Sequence, residues 1–132
     1  MNGSKEQITL CLYQVNFVRD DWCYPLDPAK LADEAASLND LLGSCGFELS
    51  FTTEDAHTIE VSGYSDLLNA VRIRSQRPGL GNVCLGHVIG CSQNLDLLED
   101  IRRGVKRVAF APETIEPEGS DKVVCHNCGC GC

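Results

Sequence analysis

The sequence has little positive charge. Eleven Lys and Arg stand against nineteen Asp and Glu, which gives a formal net charge of -8 over 132 residues. No basic run is longer than the pair Arg102-Arg103. Proteins that bind nucleic acids need a basic face to contact the phosphates, so the composition argues against a nucleic-acid partner. The acidic balance instead favours solubility.

Long hydrophobic runs are missing as well. No stretch approaches the roughly twenty apolar residues of a membrane-spanning helix. The first ten residues, MNGSKEQITL, lack the apolar core of a secretory signal peptide. We therefore expect a cytoplasmic protein without a membrane partner. Thiols stay reduced in the cytoplasm, so clustered cysteines there indicate metal ligands or redox groups rather than disulfides.

Recognisable catalytic motifs are also lacking. The segment RPGLGN (77–82) matches neither the P-loop nor the dinucleotide fingerprint, and it predicts a turn. No Ser-His-Asp arrangement can be identified from the spacing of these residue types. We therefore expect a carrier or binding protein rather than a stand-alone enzyme.

What the sequence does contain predicts one compact α/β domain. A hydrophobic share of 43% is enough for a core, and 132 residues fit a single domain. Residues 7–17 carry apolar side chains on both faces and predict a central strand. Asp27 and Pro28 are typical of a helix N-cap and first helical residue. This helix is predicted to end at Gly46 and to bury one apolar stripe: Leu31, Ala35, Leu38, Leu42 and Cys45.

Shorter strands follow in the pattern. Alternating or continuous apolar residues predict strands at 47–52, 57–63, 82–90 and 105–110. The first two of these are expected to be antiparallel to each other across a short turn. The segment at 82–90 is apolar throughout, which predicts a buried strand.

Two more helices are predicted between these strands. Ser65 is expected to cap the second helix, which the RPG sequence at 77–79 would stop. Asn94 is expected to cap the third, which Gly104 would close. Strands that alternate with about three helices predict an α/β fold with a mixed sheet.

The composition changes after Phe110. Residues 111–124 are rich in acidic residues and contain proline and glycine, which predicts an extended linker. The sequence therefore divides into a body (1–110), a linker (111–124) and a cysteine-rich tail (125–132).

The tail has the clearest chemical signal in the sequence. Its eight residues, CHNCGCGC, hold four of the nine cysteines in the pattern C-x2-C-x-C-x-C, with one histidine beside the first. Thiolates select zinc, copper(I) or iron–sulfur, and C-x2-C is the usual half-site of tetrahedral zinc. The predicted ligands, with zinc as the first expectation and the histidine as an optional member, are Cys125, Cys128, Cys130, Cys132 and His126.

The spacing limits what kind of metal site the tail can form. Four ligands within eight residues strain a mononuclear site, so several bridged ions or a shell completed by the body are alternatives. Crowded thiols also oppose one another's ionisation by like charge, which makes a bare tail a sluggish nucleophile. A bound metal would reverse this by deprotonating them. The charge pattern therefore favours metal binding over spontaneous redox catalysis.

Three other interpretations of the tail stay open. The glycine-flanked cysteines resemble the C-terminal arms of sulfur-carrier proteins, which implies a persulfide or disulfide carried to a partner protein. A linker of about a dozen residues would reach roughly 35–40 Å when extended. Alternatively, the tail docks into a partner or bridges two copies of the chain through a shared ion. An incidental tail is the last possibility.

Cysteines of the body have both packing and reactive interpretations. Cys91 is predicted to lie between a strand end and the helix capped by Asn94, where the helix dipole favours a thiolate. A reactive thiol at this position competes with plain packing. Cys11, Cys45 and Cys84 are predicted to pack in the core.

The loop after the first strand is a candidate for a pocket wall. It is predicted to span residues 18–28 and carries Trp22, Cys23 and Tyr24, which would line a pocket or receive the tail. Loops of this length are often functional, although Trp22 would also serve as a simple anchor. We name Trp22 and Cys23 of this loop as candidate pocket residues, together with His87 of the apolar segment at 82–90.

Overall fold

The sheet is built around a parallel pair of long strands. The computed structural model describes three parts of the chain, residues 6–76, 81–89 and 95–115. β1 (Glu6–Phe17) pairs in parallel with β2 (Phe47–Val61), and α1 (Pro28–Gly43) connects them. On its other side β1 pairs antiparallel with β3 (Val71–Ser75), which pairs with β4 (Val83–Cys84). The sheet is thus mixed, in the order β2-β1-β3-β4.

β1 and α1 form as their sequence patterns predict. β1 lies inside the sheet with its middle buried on both faces. The Asp27 carboxylate accepts a hydrogen bond of 3.0 Å from the N–H of Ala29. This caps α1, which Pro28 begins. Four members of the predicted apolar stripe are buried: Leu31, Ala35, Leu38 and Leu42.

The predicted end of α1 is wrong, and so is the burial of Cys45. The helix ends at Gly43, and Ser44 forms its C-cap. The chain then turns through Gly46, whose φ of 91° is in the left-handed region that glycine tolerates. Because the helical period stops before it, Cys45 is exposed instead of continuing the stripe.

β2 is a single strand where two antiparallel strands were predicted. Both of its halves run parallel to β1, so no hairpin turn separates them. The pairing passes from Tyr13 opposite Glu54 to Gln14 opposite Thr58. Residues 55–57 are therefore extra residues in β2, and they form a bulge. In the sequence this bulge has the pattern of a short turn between two strands.

The second predicted helix is wrong over half of its length. α2 covers Tyr64–Ala70 with Gly63 at its N-cap, so Ser65 lies within the first turn. The next five residues form β3. Val71 and Ile73 alternate with Arg72 and Arg74, a period of two that matches a strand. Because Val71 also fits the helical spacing, the sequence pattern is ambiguous here.

The apolar segment at 82–90 is buried as predicted but is mostly not a strand. Only Val83–Cys84 pair with β3, and Leu85–Ile89 form the short helix α3. Cys84 is buried, as predicted. A short continuous apolar run does not distinguish a strand from a buried helix.

The last helix is longer than predicted. α4 spans Leu97–Phe110, so the predicted strand at 105–110 is wrong, and so is the stop at Gly104. Its N-cap is Asp96, whose carboxylate accepts from the N–H groups of Leu98 and Glu99 at 3.2 and 3.4 Å. Gly104 is needed for close packing rather than for a helix end.

The residues after α4 pack on the body. Pro112–Thr114 form a 3-10 turn, and Ile115 is buried. The Arg107 guanidinium donates to the carbonyl oxygens of Val88 and Thr114 at 2.5 and 2.6 Å. The first residues of the predicted linker are thereby held against α3 and α4.

The two faces of the sheet differ up to the bulge in β2. Register pairs place apolar side chains on one face, including Ile8, Leu10, Leu12, Leu49, Val71 and Ile73. α1 packs against β2, and α4 packs against β3. The opposite face carries polar and ionisable groups: Thr9, Cys11, Tyr13, Glu54, Arg72 and Arg74.

Within the described residues, no helix is both long enough and apolar enough to cross a bilayer.

Candidate functional site

A crevice forms where α1 and α4 begin next to the loop that follows β1. The two helices are joined farther along by Arg102, which donates to the Glu34 carboxylate at 2.9 Å. The loop is fixed to α4 because the N–H of Leu97 donates to the hydroxyl of Tyr24 at 3.0 Å. Ligands of α/β proteins often bind at loops that follow the sheet strands, so this region is the natural candidate.

Leu26 divides the crevice into two clefts. The first has a volume of about 410 Å³ and lies between the two helix starts. Its lining consists of Tyr24, Pro25, Leu26, Asp27, Lys30, Leu31, Asp96, Leu97 and Leu98. Asp27 and Asp96 cap α1 and α4, so their carboxylates already serve the helix N–H groups. The two carboxylates in this cleft therefore have a structural role, which is to stabilise the starts of α1 and α4.

The second cleft lies beside the bulge in β2 and has a volume of about 480 Å³. Leu26 lines both clefts, and most of the residues that line the second one come from β1 and β2. Its lining consists of Leu12, Tyr13, Gln14, Val15, Leu26, Pro28, Thr53, Glu54 and Asp55. Pockets of this size with apolar walls and a few polar groups are typical of small-molecule sites.

Charged side chains hold the bulge in place on the polar face of the sheet. One oxygen of Glu54 accepts from Arg74 at 3.2 Å, and the other lies 3.3 Å from Nε2 of His57. The His57 ring packs against Tyr13 with 5.2 Å between centroids. Glu54, the residue before the bulge, thus links His57, the last residue of the bulge, to Arg74 in β3.

The buried groups next to this network are cationic and thiol groups. Arg72 is fully buried, with its guanidinium 5.8 Å from the centroid of the Tyr13 ring. It donates to the side-chain oxygen of Asn82 at 3.1 Å. Burial raises the pKa of the Cys11 thiol and outweighs the nearby Arg74 guanidinium, which favours the thiolate. Cys11 is therefore a poor nucleophile and a poor metal ligand.

The residues predicted from sequence as functional lie mostly outside the described parts of the chain. This holds for Cys91 and for the whole predicted metal set, Cys125, His126, Cys128, Cys130 and Cys132. Their roles stay predictions. Across residues 6–76, 81–89 and 95–115, no group of three or more His, Cys, Asp or Glu side chains is arranged to hold an ion.

The three predicted pocket residues do not line either of the two clefts. The Trp22 ring packs on Phe17, 5.9 Å between centroids, which is the anchoring role considered for it. Cys23 is exposed. His87 lies in α3, and its backbone N–H donates to the sulfur of Cys84 at 3.4 Å. Tyr24, from the same loop as Trp22, does line the first cleft.

Sequence reasoning missed the ionic network at the bulge. Glu54, His57 and Arg74 are separated in the sequence and belong to no motif. The alternation of arginine with Val71 and Ile73 was the one available signal, because it places Arg72 and Arg74 on a common strand face. The bulge itself has no comparable signal.

Comparison with known proteins adds no assignment to this geometry: no protein family, no curated protein and no solved structure matches the chain.

Proposed function

We propose that the protein binds a soft metal through its cysteine-rich tail and delivers the metal to a partner protein in the cytoplasm. The ligands are Cys125, Cys128, Cys130 and Cys132, with His126 as an optional fifth. The supporting observation is the C-x2-C-x-C-x-C spacing in CHNCGCGC. Zinc is the first candidate, and copper(I) or an iron–sulfur species would use the same thiolates.

The cysteines of the described body are consistent with metal binding by the tail cysteines alone. Cys11 and Cys84 are buried, and burial disfavours the thiolate form of Cys11. Cys23 and Cys45 are exposed but lie apart from each other, in the loop after β1 and in the turn after α1. They therefore provide matched controls, because they are accessible thiols outside the proposed ligand set.

The competing function is that of a sulfur carrier. In that case one tail cysteine would hold a persulfide or form a transient disulfide with a partner protein. A carrier depends on one cysteine more than on the others, whereas a metal site loses affinity when any of several ligands is removed. The two functions thus differ in how single substitutions behave.

Elemental analysis of anaerobically purified, full-length protein tests the proposal. Purification should avoid chelators and nickel columns. We expect near-stoichiometric zinc, copper or iron in the wild type and in a Cys23→Ser/Cys45→Ser control. We expect at least a tenfold loss of metal when Cys125, Cys128, Cys130 and Cys132 are all changed to Ser, and weaker binding in acid as the thiols protonate.

The proposal fails if the wild type carries no metal or if the tail variant retains it. Intact mass spectrometry of the same samples then examines the competing function. A mass increase of one sulfur atom that disappears with a single Cys→Ser change in the tail would identify a sulfur carrier.

A further inference from the structure

The bulge in β2 opens the edge of the sheet next to the second cleft. β1 continues without interruption past Gln14, while β2 inserts residues 55–57 between two paired positions. Glu54 precedes this insertion and His57 is its last residue, and the Glu54 carboxylate contacts both His57 and Arg74. Bulges commonly re-aim side chains next to binding sites. Here the ionic network holds the bulge in place, and Glu54 and Asp55, where the bulge begins, line the cleft.

The cleft combines an apolar wall with a polar rim. Leu12 is buried at its base, and Val15 and Leu26 are half-buried along its side. Gln14, Thr53 and Asp55 are exposed at the rim. A volume of about 480 Å³ accommodates a small organic molecule, with its apolar part against the leucines and its polar part toward the rim.

The charge of the lining selects the sign of that polar part. Glu54 and Asp55 line the cleft, and among the residues that the structure describes no Lys or Arg does. Both oxygens of Glu54 face partners, Arg74 and His57. The Asp55 carboxylate has no ion pair or hydrogen bond with any part of the chain that the structure describes. The formal net charge of the whole chain, -8, adds to a potential that attracts cations and repels anions.

We propose that the cleft beside the β2 bulge binds a small organic cation, with the apolar body of the ligand against Leu12 and Leu26 and its ammonium group at Asp55. Glu54 acts as a positioning residue, because its contacts to Arg74 and His57 hold the bulge that carries Asp55. This site lies in the body, so it does not depend on the metal chemistry proposed for the tail.

Three probes of similar shape and different charge test the site on the full-length chain. Benzylamine is cationic, benzyl alcohol is neutral and benzoate is anionic at neutral pH. Amide chemical shifts in two-dimensional NMR report where each probe binds. We expect saturable shifts with millimolar benzylamine at Tyr13, Gln14, Thr53 and Asp55. Benzyl alcohol should bind more weakly, and benzoate should give no saturable shifts.

Charge variants at one position identify the group that binds the ammonium. Asp55→Asn should weaken benzylamine binding by about threefold, as expected for a partly exposed ion pair. Asp55→Glu should restore it. Asp40→Asn is the matched control, since Asp40 is also an exposed carboxylate but lies in α1 outside both clefts. This control should bind as the wild type does.

Four results would overturn the assignment. These are the absence of saturable shifts with benzylamine, shifts that map outside the second cleft, equal affinity for benzylamine and benzyl alcohol, and equal effects of Asp55→Asn and Asp40→Asn. Folding of each variant is checked from the dispersion of the same spectra.

Discussion

At the scale of single residues, Asp100 shows how a carboxylate is kept inside the core. It is 1% exposed, and it accepts a hydrogen bond of 2.5 Å from the hydroxyl of Tyr64. Arg103 donates to its other oxygen at 3.2 Å. The Tyr64 ring also packs on Tyr24, 5.7 Å between centroids. A buried charge is tolerated only when such partners replace water, so these contacts link α2, α4 and the crevice loop.

Removing the Tyr64 hydroxyl should be costly. Tyr64→Phe deprives the buried carboxylate of a donor, and we expect the free energy of unfolding to fall by about 2 kcal/mol. Tyr24→Phe is the control, because its hydroxyl accepts from a backbone N–H at the partly exposed start of α4. That loss should stay below about 1 kcal/mol. Urea unfolding followed by circular dichroism measures both, and equal losses would contradict this interpretation.

The buried thiol of Cys11 should lower the free energy of unfolding at alkaline pH. Burial raises the pKa of its thiol above the ordinary value of 9.0, so the folded chain holds this proton more tightly than the unfolded chain does. The corresponding stability is fully present below that value and is lost as the pH rises through the folded pKa. The free energy of unfolding should therefore be lower at about pH 10 than at about pH 8.

Comparison of two alanine variants isolates this contribution. Cys11→Ala should lack the alkaline loss, whereas Cys45→Ala, at an exposed thiol, should keep it. Urea unfolding at the two pH values gives the free energies. An identical pH dependence in wild type and Cys11→Ala would show that the thiol contributes nothing.

At the scale of secondary structure elements, Gly104 fixes how closely α4 approaches the sheet. A Cβ at this position would collide with the Leu85 side chain and lie 3.2 Å from Cδ1 of Ile73. Gly104→Ala should therefore lower the free energy of unfolding by about 1–2 kcal/mol, because overpacking outweighs the gain in helix propensity. Gly63→Ala has open space at an extended φ and should change it by less than about 0.5 kcal/mol. Thermal and urea unfolding measure the difference, and a neutral Gly104→Ala would disprove the tight contact.

Elements with a regular period were predictable from the sequence, and elements set by tertiary contacts were not. β1 and α1 follow clear apolar patterns, and Asp27 with Pro28 marks a helix start by local chemistry alone. Gly104 resembles a helix stop in the sequence, but its role depends on Leu85 and Ile73. β3 was missed because the spacing of Leu67, Leu68 and Val71 fits one continuous helix. It fits equally well the short helix followed by a strand that the structure has.

The candidate site was less predictable than the fold. Its second cleft depends on a bulge, and the insertion of residues 55–57 is visible only from the pairing of β2 with β1. The loop after β1 was predicted as a possible pocket wall, and of the residues named there Tyr24 lines the first cleft, whereas Trp22 and Cys23 line neither. Side chains that meet across strands have no signature in a single sequence.

At the scale of the whole molecule, the residues that the structure describes form one hydrophobic core cluster. The core cluster extends from Ile8 to Ile115 and consists of apolar side chains and Cys11. If the tail binds metal as proposed, a chelator should remove the metal without unfolding the body. We expect the melting temperature to change by less than about 2 °C on chelation, which corresponds to only a small change in the free energy of unfolding. A larger decrease would mean that metal binding is coupled to the folding of the body.

The parallel ladder between β1 and β2 also determines the order in which the chain can fold. Gln7 and Glu48, which contact across it, are 41 residues apart in the sequence. α1 can form within microseconds, but the ladder waits until this long loop closes, which makes it a late and slow event. During that interval Cys11 and Cys84 are open to oxidants together with the tail thiols. Refolding yield should therefore depend on reductant, although the native body protects both of these thiols.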